Sequence, residues 1–244
     1  MFRQKSLFAV AVLLATLFAG AAIAATNPDH RNKKKNATFT VRVENVADND
    51  GVAAQDGSKY PFALSPGFYV ISEKESMLFS AGKKASSALE SQAEDGNPDL
   101  FADTLLGKVG RAQLGEFKNP VGAEKPSPIF SGGAFEFTFS ATAGSKLNLA
   151  FMYGQSNDLF YAPNSGVELF DRDGNPLNGD VTELFKLWDA GTEVNQAPGL
   201  GADQGPRQKG PNMGAAEKGV VRLVNDGFSY PETKSVLRVT ITAQ

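Results

Sequence analysis

Residues 134–153 read AFEFTFSATAGSKLNLAFMY, and this stretch decides the fold class. Large apolar side chains stand at every second position of each half: Phe135, Phe137, Phe139, Leu147, Leu149 and Phe151. Successive side chains of a β-strand point to opposite faces, so a period of two predicts two strands that each bury one face. The short connection at residues 143–145 predicts that the two strands form a hairpin.

The same alternation recurs along the chain. Phe39, Val41 and Val43 share one face of a strand that starts near residue 37, and polar side chains take the other face. Further strands are predicted at residues 68–71, 167–170, 220–224 and 235–243, and the last two are expected to form a second hairpin. Alternating strands favour antiparallel sheets with one wet face. Residues 37–244 are therefore predicted to be one all-β domain, an antiparallel β-sandwich.

Two helical segments are predicted in the connections. Residues 83–94 are rich in Ala, Ser and Glu and end at Asp95-Gly96-Asn97-Pro98, and residues 99–106 add one or two turns. We expect both to be surface connections.

A further segment, residues 180–191, fits the pattern of a helix more closely than either of these two segments. Asp180 and Glu183 have the spacing of a capping box, and Gly191 suits the left-handed position after a helix. The apolar residues in between lie at the i, i+3, i+4 and i+7 spacing of one helix face: Val181, Leu184, Phe185 and Trp188.

The first 24 residues have the composition of a signal peptide. Arg3 and Lys5 precede an apolar run, and Ala22-Ile23-Ala24 forms a small-residue cleavage site. We expect cleavage after residue 24, export to the periplasm or the medium, and no membrane-spanning segment in the mature chain. A flexible tail is expected at residues 25–36; it contains the only histidine, His30, which is not expected to be a ligand.

Charge and cysteine content exclude several classes of function. The chain has 24 Lys and Arg against 27 Asp and Glu, and loss of the two basic residues of the signal peptide leaves 22 against 27, a net charge of −5. Nucleic acid is therefore not an expected partner. With no Cys, no histidine outside the tail and no G-x-S-x-G motif, the common nucleophile and zinc sites are missing, and an enzyme is not predicted.

Three carboxylates are candidate ligands of a cation. Asp189 is expected at the negative end of the predicted helix, beside carbonyl oxygens without intrahelical partners, and Glu193 follows just past the turn. Asp158, in a turn after the strand at residues 147–153, is the best third candidate, although a lone turn aspartate is usually only a turn former. Such a group repels itself without a cation, and calcium accepts six to eight oxygen ligands.

Two other segments are weaker candidates. Residues 171–180, DRDGNPLNGD, superficially fit an EF-hand loop, but glycine falls at the fourth position and the twelfth is Thr182, so a turn at residues 171–175 is the simpler interpretation. A second cation there stays open. Residues 195–219 form a glycine-rich loop of a length that is generally functional or mobile.

The order of several segments along residues 37–200 resembles the spondin N-terminal domain family, known from F-spondin and mindin, and is more directly similar to its bacterial members. The similar segments are FTVRVENV, ALSPGFYVIS, LFSAGKKASSALESQAEDGNP, MYGQSNDLFYAP and GVELFDRDGNPLNGDVTELFKLWDAGTEVNQAPG. The resemblance implies a C2-like sandwich that binds one Ca²⁺ through Asp158, Asp189 and Glu193. Glu193 stands where animal members have Asp, and the flanking cysteines of those members are missing here.

The function expected from the sequence is a calcium-binding module that attaches to an extracellular or envelope protein or glycan. Two alternatives stay open. One is a metal-assisted hydrolase of envelope or extracellular polymers, and the other is a domain in which calcium is purely structural. A cation position open to solvent would favour binding, and an enclosed one would favour the structural role.

Overall fold

The structure is a computed structural model that describes residues 35–109 and 113–244. The predicted signal peptide, most of the predicted tail and His30 lie outside the described residues. The last tail position, Asn36, already belongs to the first strand.

Thirteen β-strands and three short α-helices make up the described chain. The strands are β1 (Asn36–Asn45), β2 (Val52–Ala53), β3 (Lys59–Tyr60), β4 (Ala63–Ser72), β5 (Leu114–Phe117), β6 (Ala134–Thr142), β7 (Lys146–Gly154), β8 (Leu159–Pro163), β9 (Val167–Glu168), β10 (Gly179–Asp180), β11 (Phe185–Asp189), β12 (Arg222–Leu223) and β13 (Leu237–Ala243). The helices are α1 (Ser87–Asp95), α2 (Asp99–Leu105) and α3 (Thr233–Val236), and a 3-10 turn lies at Thr182–Leu184.

Two antiparallel sheets pack face to face, which confirms the predicted all-β sandwich. One sheet has the order β10-β13-β1-β6, and the other has the order β12-β11-β8-β7-β4-β5, with β9 also paired to β7. Phe39, Val41 and Val43 are fully buried between the sheets, as the alternation predicts. Across the same core, the rings of Tyr69 and Phe137 stack with centroids 4.3 Å apart. A small β2-β3 ribbon completes the pairing.

Helices α1 and α2 lie on the outer face of the larger sheet in the connection between β4 and β5, so they are surface connections as predicted, but each also buries one face. Leu89 of α1 and Phe101 of α2 are buried against Phe68, Phe160 and other side chains of that sheet. The helices themselves are confirmed, although α1 begins at Ser87, where the Ser86 side chain caps it. Among the described residues, no helix is long and apolar enough to cross a membrane.

Both predicted hairpins are wrong. Strand β6 pairs with β1 in the smaller sheet, whereas β7 pairs with β4, β8 and β9 in the larger one, so residues 143–145 cross between the sheets. In the same way β12 pairs with β11, whereas β13 pairs with β1 and β10. Two strands that bury side chains in one core can face each other across it as well as lie side by side.

The predicted helix at residues 180–191 is also wrong. The chain forms β10, the 3-10 turn and then β11, which pairs with β8 and β12. Phe185 packs into the core between the sheets, and Trp188 belongs to the cluster on the opposite face of the larger sheet, which also includes side chains of α1 and α2. Three residues apart on a strand, the two side chains point to opposite faces, and both faces of this sheet are covered.

Candidate cation site

The end of the larger sheet brings together the three carboxylates that the sequence singled out. Strands β8 and β11 are antiparallel, with Leu159 opposite Asp189, so Asp158 lies directly beside the end of β11. The backbone N–H of Ala190 donates to the Asp158 carbonyl at 3.1 Å. Asp158, Asp189 and Glu193 are all buried. The strand pairing, rather than a helix end, therefore positions this group.

Asp158 holds one carboxylate oxygen in a dense set of hydrogen bonds and leaves the other without a partner. Its Oδ2 accepts from the backbone N–H of Thr192 at 2.7 Å, from the Thr192 hydroxyl at 3.1 Å and from the backbone N–H of Glu193 at 3.1 Å. Its Oδ1 is buried and has no hydrogen-bond partner within the described chain. Burial raises the pKa of Asp158, and the three hydrogen bonds oppose that rise.

Asp189 has both carboxylate oxygens engaged. Its Oδ1 accepts from the backbone N–H of Gly191 at 2.6 Å, and its Oδ2 accepts from Asn195 at 2.9 Å and from Arg222 at 2.7 Å. Burial raises the pKa of Asp189 to about 6, and the charge of Asp158 adds to this shift while Arg222 opposes it. Gly191 has φ of 70°, so the predicted left-handed glycine is confirmed, although it ends a strand instead of a helix.

Glu193 connects the group to the loop at residues 195–219. Its Oε1 accepts from the backbone N–H of Gly214 at 2.8 Å, and its Oε2 accepts from Asn157 at 3.3 Å. A Cβ at position 214 would lie 2.0 Å from Glu193 Oε2, so a side chain at this position would displace the Glu193 carboxylate. Burial raises the pKa of Glu193 above its ordinary value.

The sequence analysis missed a fourth carboxylate, Glu94, in the last turn of α1. It is only 3% exposed, and its Oε1 has no hydrogen-bond partner within the described residues. Burial raises the pKa of Glu94 to about 7, its hydrogen bond to the Thr192 side chain opposes the rise, and the charges of Glu193, Glu90 and Asp158 add to it. The Thr192 side chain therefore interacts with both carboxylates, and its one hydroxyl hydrogen is donated to Asp158.

A sequence signal for Glu94 did exist. Glu94 and Asp95 form an acidic pair at the C-terminus of α1, and its last turn contains no basic residue to offset them. Negative charge at that end of a helix is unfavourable, because the unpaired carbonyls already give it negative potential. An acidic pair placed there therefore indicates either full solvation or a nearby cation, and Glu94 is buried.

The charges of the site do not balance. Of the four buried carboxylates, only Asp189 forms an ion pair between described residues, with Arg222, and that guanidinium also binds Glu217 at 3.0 Å. Buried charges are normally paired, and a buried oxygen without a hydrogen bond is costly. The donor set consists of carboxylate oxygens alone, which suits a hard cation such as Ca²⁺.

The chemical type of these ligand atoms suits a cation, but the side chains are not arranged around a common cation position. Within the described ranges, no three acidic or histidine side chains already form a metal-ligand group. Asp189 and Glu193 give their oxygens to protein N–H groups, as described above. The carboxylate oxygens without a hydrogen-bond partner in the described chain are Asp158 Oδ1 and Glu94 Oε1. A cation held there would draw on the charge and second lone pairs of the other two carboxylates.

The loop at residues 195–219 is tied to the same site through amide side chains. Asn157 Oδ1 accepts from the backbone N–H of Gln196 at 3.0 Å and from Gln204 at 3.1 Å. Gln204 is fully buried and also donates to the carbonyl of Gln196 at 3.0 Å. Because Asn157 also donates to Glu193, the loop and the carboxylates form one hydrogen-bonded unit.

The turn at residues 171–175 is confirmed. Asp171 Oδ1 accepts from the backbone N–H groups of Asp173 at 2.9 Å and Asn175 at 2.8 Å. These bonds lower the pKa of Asp171 and use the carboxylate as a turn former.

Comparisons with known proteins add no family to this description. No protein-family model matches the chain, and no curated protein matches it. The fold and site define an all-β sandwich with a buried, oxygen-only carboxylate cluster at one end.

Proposed function

We propose that this protein is an exported calcium-binding β-sandwich module that attaches to an extracellular or envelope protein or glycan. The observation that carries the proposal is the pair of buried carboxylate oxygens, Asp158 Oδ1 and Glu94 Oε1, that have no hydrogen-bond partner in the described chain. A calcium ion between these oxygens would supply the missing positive charge and satisfy both atoms. The resemblance to spondin N-terminal domains supports the same assignment.

The role of the calcium ion would be to hold the loop at residues 195–219 in place. Glu193 and Asn157 connect the carboxylates to that loop. A calcium ion that neutralises the charge of the carboxylates therefore stabilises the loop as well. The loop also forms one wall of an apolar cavity of about 330 Å³, where Pro206 faces Phe130 and Met152. Phe130 is half exposed, and such a surface suits an apolar side chain of a partner protein.

Burial of the carboxylates favours one alternative, the purely structural calcium ion. Glu94, Asp158, Asp189 and Glu193 are each at most 3% exposed, so the ion would be enclosed by the protein. An enclosed ion can order the loop without contacting a partner. The same burial argues against a metal-assisted hydrolase, because a catalytic ion needs an open position that reaches substrate.

Terbium luminescence tests the cation site directly. Tb³⁺ commonly replaces Ca²⁺ at sites with oxygen ligands. Trp188, the only tryptophan, is adjacent to Asp189 in the chain and can transfer excitation energy to a bound Tb³⁺ ion. We expect sensitised Tb³⁺ emission that Ca²⁺ displaces and Mg²⁺ does not, and we expect Asp158→Asn and Glu94→Gln to abolish it. Asp173→Asn removes a charge from the exposed turn and should leave the emission unchanged. Absence of emission, or equal emission from all variants, would reject the site.

A further inference from the structure

A cavity of about 420 Å³ opens at the N-terminal end of α1, the end opposite Glu94. Four of its lining residues are lysines: Lys74, Lys83, Lys84 and Lys108. No acidic residue lines it among the residues that the structure describes. The chain as a whole has a net charge of −3, so this concentration of positive charge is a local feature.

Seven of the eighteen lysine and arginine side chains that the structure describes form ion pairs with other described residues, and the four cavity lysines are among the eleven that do not. Ion pairs within the described residues engage Arg42, Lys59, Lys118, Lys146, Arg222, Lys234 and Arg238. No ion pair between described residues includes any of the four cavity lysines. Even Glu75, which lies next to Lys74 in the chain, binds Lys146 at 2.5 Å instead. Like charges around one opening repel each other, and a bound anion relieves that repulsion.

The rest of the cavity wall is suited to more than a bare ion. Ser76, Ser80 and Ser86 bring hydroxyl groups to it, and Phe79 brings an aromatic ring. That ring is held from behind by Trp188, with an edge-to-face contact of 4.9 Å between centroids. These groups together match a sugar that carries anionic esters. The serine hydroxyls can hydrogen-bond to the sugar hydroxyls, the aromatic ring can contact the apolar face of the sugar, and the ammonium groups can contact the negatively charged esters.

We propose that this cavity binds a sugar esterified with sulfate or phosphate, the ammonium groups contacting the ester oxygens and the ring of Phe79 contacting the sugar. Lysine binds such esters as a mobile point charge, so several lysines can adapt to different ester positions. The proposal goes beyond the calcium-binding function and does not rest on it, because none of the four cation-site carboxylates lines this cavity.

Calorimetric titration of the purified protein with a sulfated tetrasaccharide tests the proposal. The double variant Lys83→Gln/Lys84→Gln is expected to raise the dissociation constant at least tenfold. The matched control, Lys125→Gln/Lys209→Gln, removes the same charge from exposed positions outside the cavity and should change the constant less than twofold. The four substituted lysines of the two double variants are all exposed, so both variants should have the same melting temperature as the parent protein.

Three further arms identify the ligand. The unsulfated tetrasaccharide should bind at least tenfold more weakly, and a sugar phosphate should compete with the sulfated ligand. Higher salt should weaken binding, because exposed charges are screened. Equal loss of affinity in both double variants would overturn the proposal, since it would show a response to net charge alone. Inorganic sulfate that competes as well as the sulfated sugar, or binding only to vesicles of anionic phospholipid, would also overturn it.

Discussion

Glu94 and Asp158 each bury a carboxylate oxygen that has no hydrogen-bond partner within the described chain. A polar atom in that position costs free energy in the folded state, and a charge costs more. Two groups can lower this cost at a carboxylate: a proton or a cation. At the residue scale the site is therefore a competition between protonation and calcium binding.

The competition predicts an unusual pH dependence without calcium. The pKa of Glu94 is raised from 4.5 to about 7 by burial, so between these values the folded state binds more protons than the unfolded state. The free energy of unfolding then falls as pH rises from 4.5 to 7, because the folded state loses a proton that it holds more tightly than the unfolded state does. Asp189, whose pKa is raised to about 6, acts in the same direction.

Urea denaturation in chelator over this pH range measures the effect. Glu94→Gln should flatten the fall, because the neutral amide has no proton to lose. Saturating calcium should also flatten it, because the cation takes the place of the proton. A free energy of unfolding that rises through this window in the parent protein would contradict the assignment.

How far the site could be predicted from sequence depends on the range of the contacts. Asp189 and Glu193 are close in the chain, but they were singled out on a predicted helix end that is a strand in the structure, and the set with Asp158 rested on the family resemblance; a single strand pairing brings Asp158 beside Asp189. Glu94 joins them because α1 packs on β7 and β8, a contact set by the side chains of the helix layer. No local sequence pattern predicts that packing.

At the scale of elements, β11 shows where periodicity fails. Phe185 and Trp188 fit one face of a helix by spacing, but they occupy opposite faces of a strand. A sheet covered on both faces removes the alternation of apolar and polar residues that marks a half-exposed strand. Strands β1 and β6 keep that alternation because their outer face is exposed, and both were predicted correctly.

The loop at residues 195–219 depends on one buried amide, Gln204. Its Nε2 donates to Asn157 and to the carbonyls of Gln196 and Ala197, and its Oε1 accepts from the backbone N–H of Gly199 at 3.0 Å. Gln204→Ala leaves these buried groups unsatisfied, and we expect a loss of about 2–4 kcal/mol together with rapid proteolysis within the loop.

The matched control for Gln204 is Gln208→Ala in the same loop. Gln208 is only partly buried and its side chain makes one hydrogen bond, to Asp95 at 3.1 Å. Limited proteolysis and urea denaturation of both variants separate the two positions. Equal sensitivity of the two variants would show that Gln204 does not anchor the loop.

At the scale of the whole molecule, stacked aromatic rings hold the two sheets together. Phe137 of β6 lies within 4.3 Å of Tyr69 and 4.9 Å of Phe117 between ring centroids, so one side chain of the smaller sheet contacts two strands of the larger one. Phe137→Ala should lower the free energy of unfolding by about 3–5 kcal/mol. The neighbouring Thr138→Ala, on the exposed face, should change it by less than about 0.5 kcal/mol. The free energy of unfolding of both variants can be measured by calorimetry or urea denaturation. A similar loss in the two variants would contradict this role of Phe137.

The proposed export concerns residues 1–24, which lie outside the described part of the chain. We propose that residues 1–24 are removed during export, so the protein recovered from the periplasm or the medium should begin at Ala25. Intact-mass measurement of the purified protein checks the start. A recovered chain that retains Met1 and the whole apolar run would contradict cleavage.

The central claim is that the buried carboxylate cluster binds calcium, and thermal unfolding in calcium, magnesium and chelator tests it most directly. Binding to the folded state alone adds about 2.7 kcal/mol of stability when calcium is at 100 times its dissociation constant. We expect a calcium-selective rise in Tm that is lost in Glu94→Gln and Asp189→Asn and kept in Asp173→Asn. Identical melting of the parent protein in calcium and in chelator, once removal of metal is confirmed, would contradict the calcium assignment.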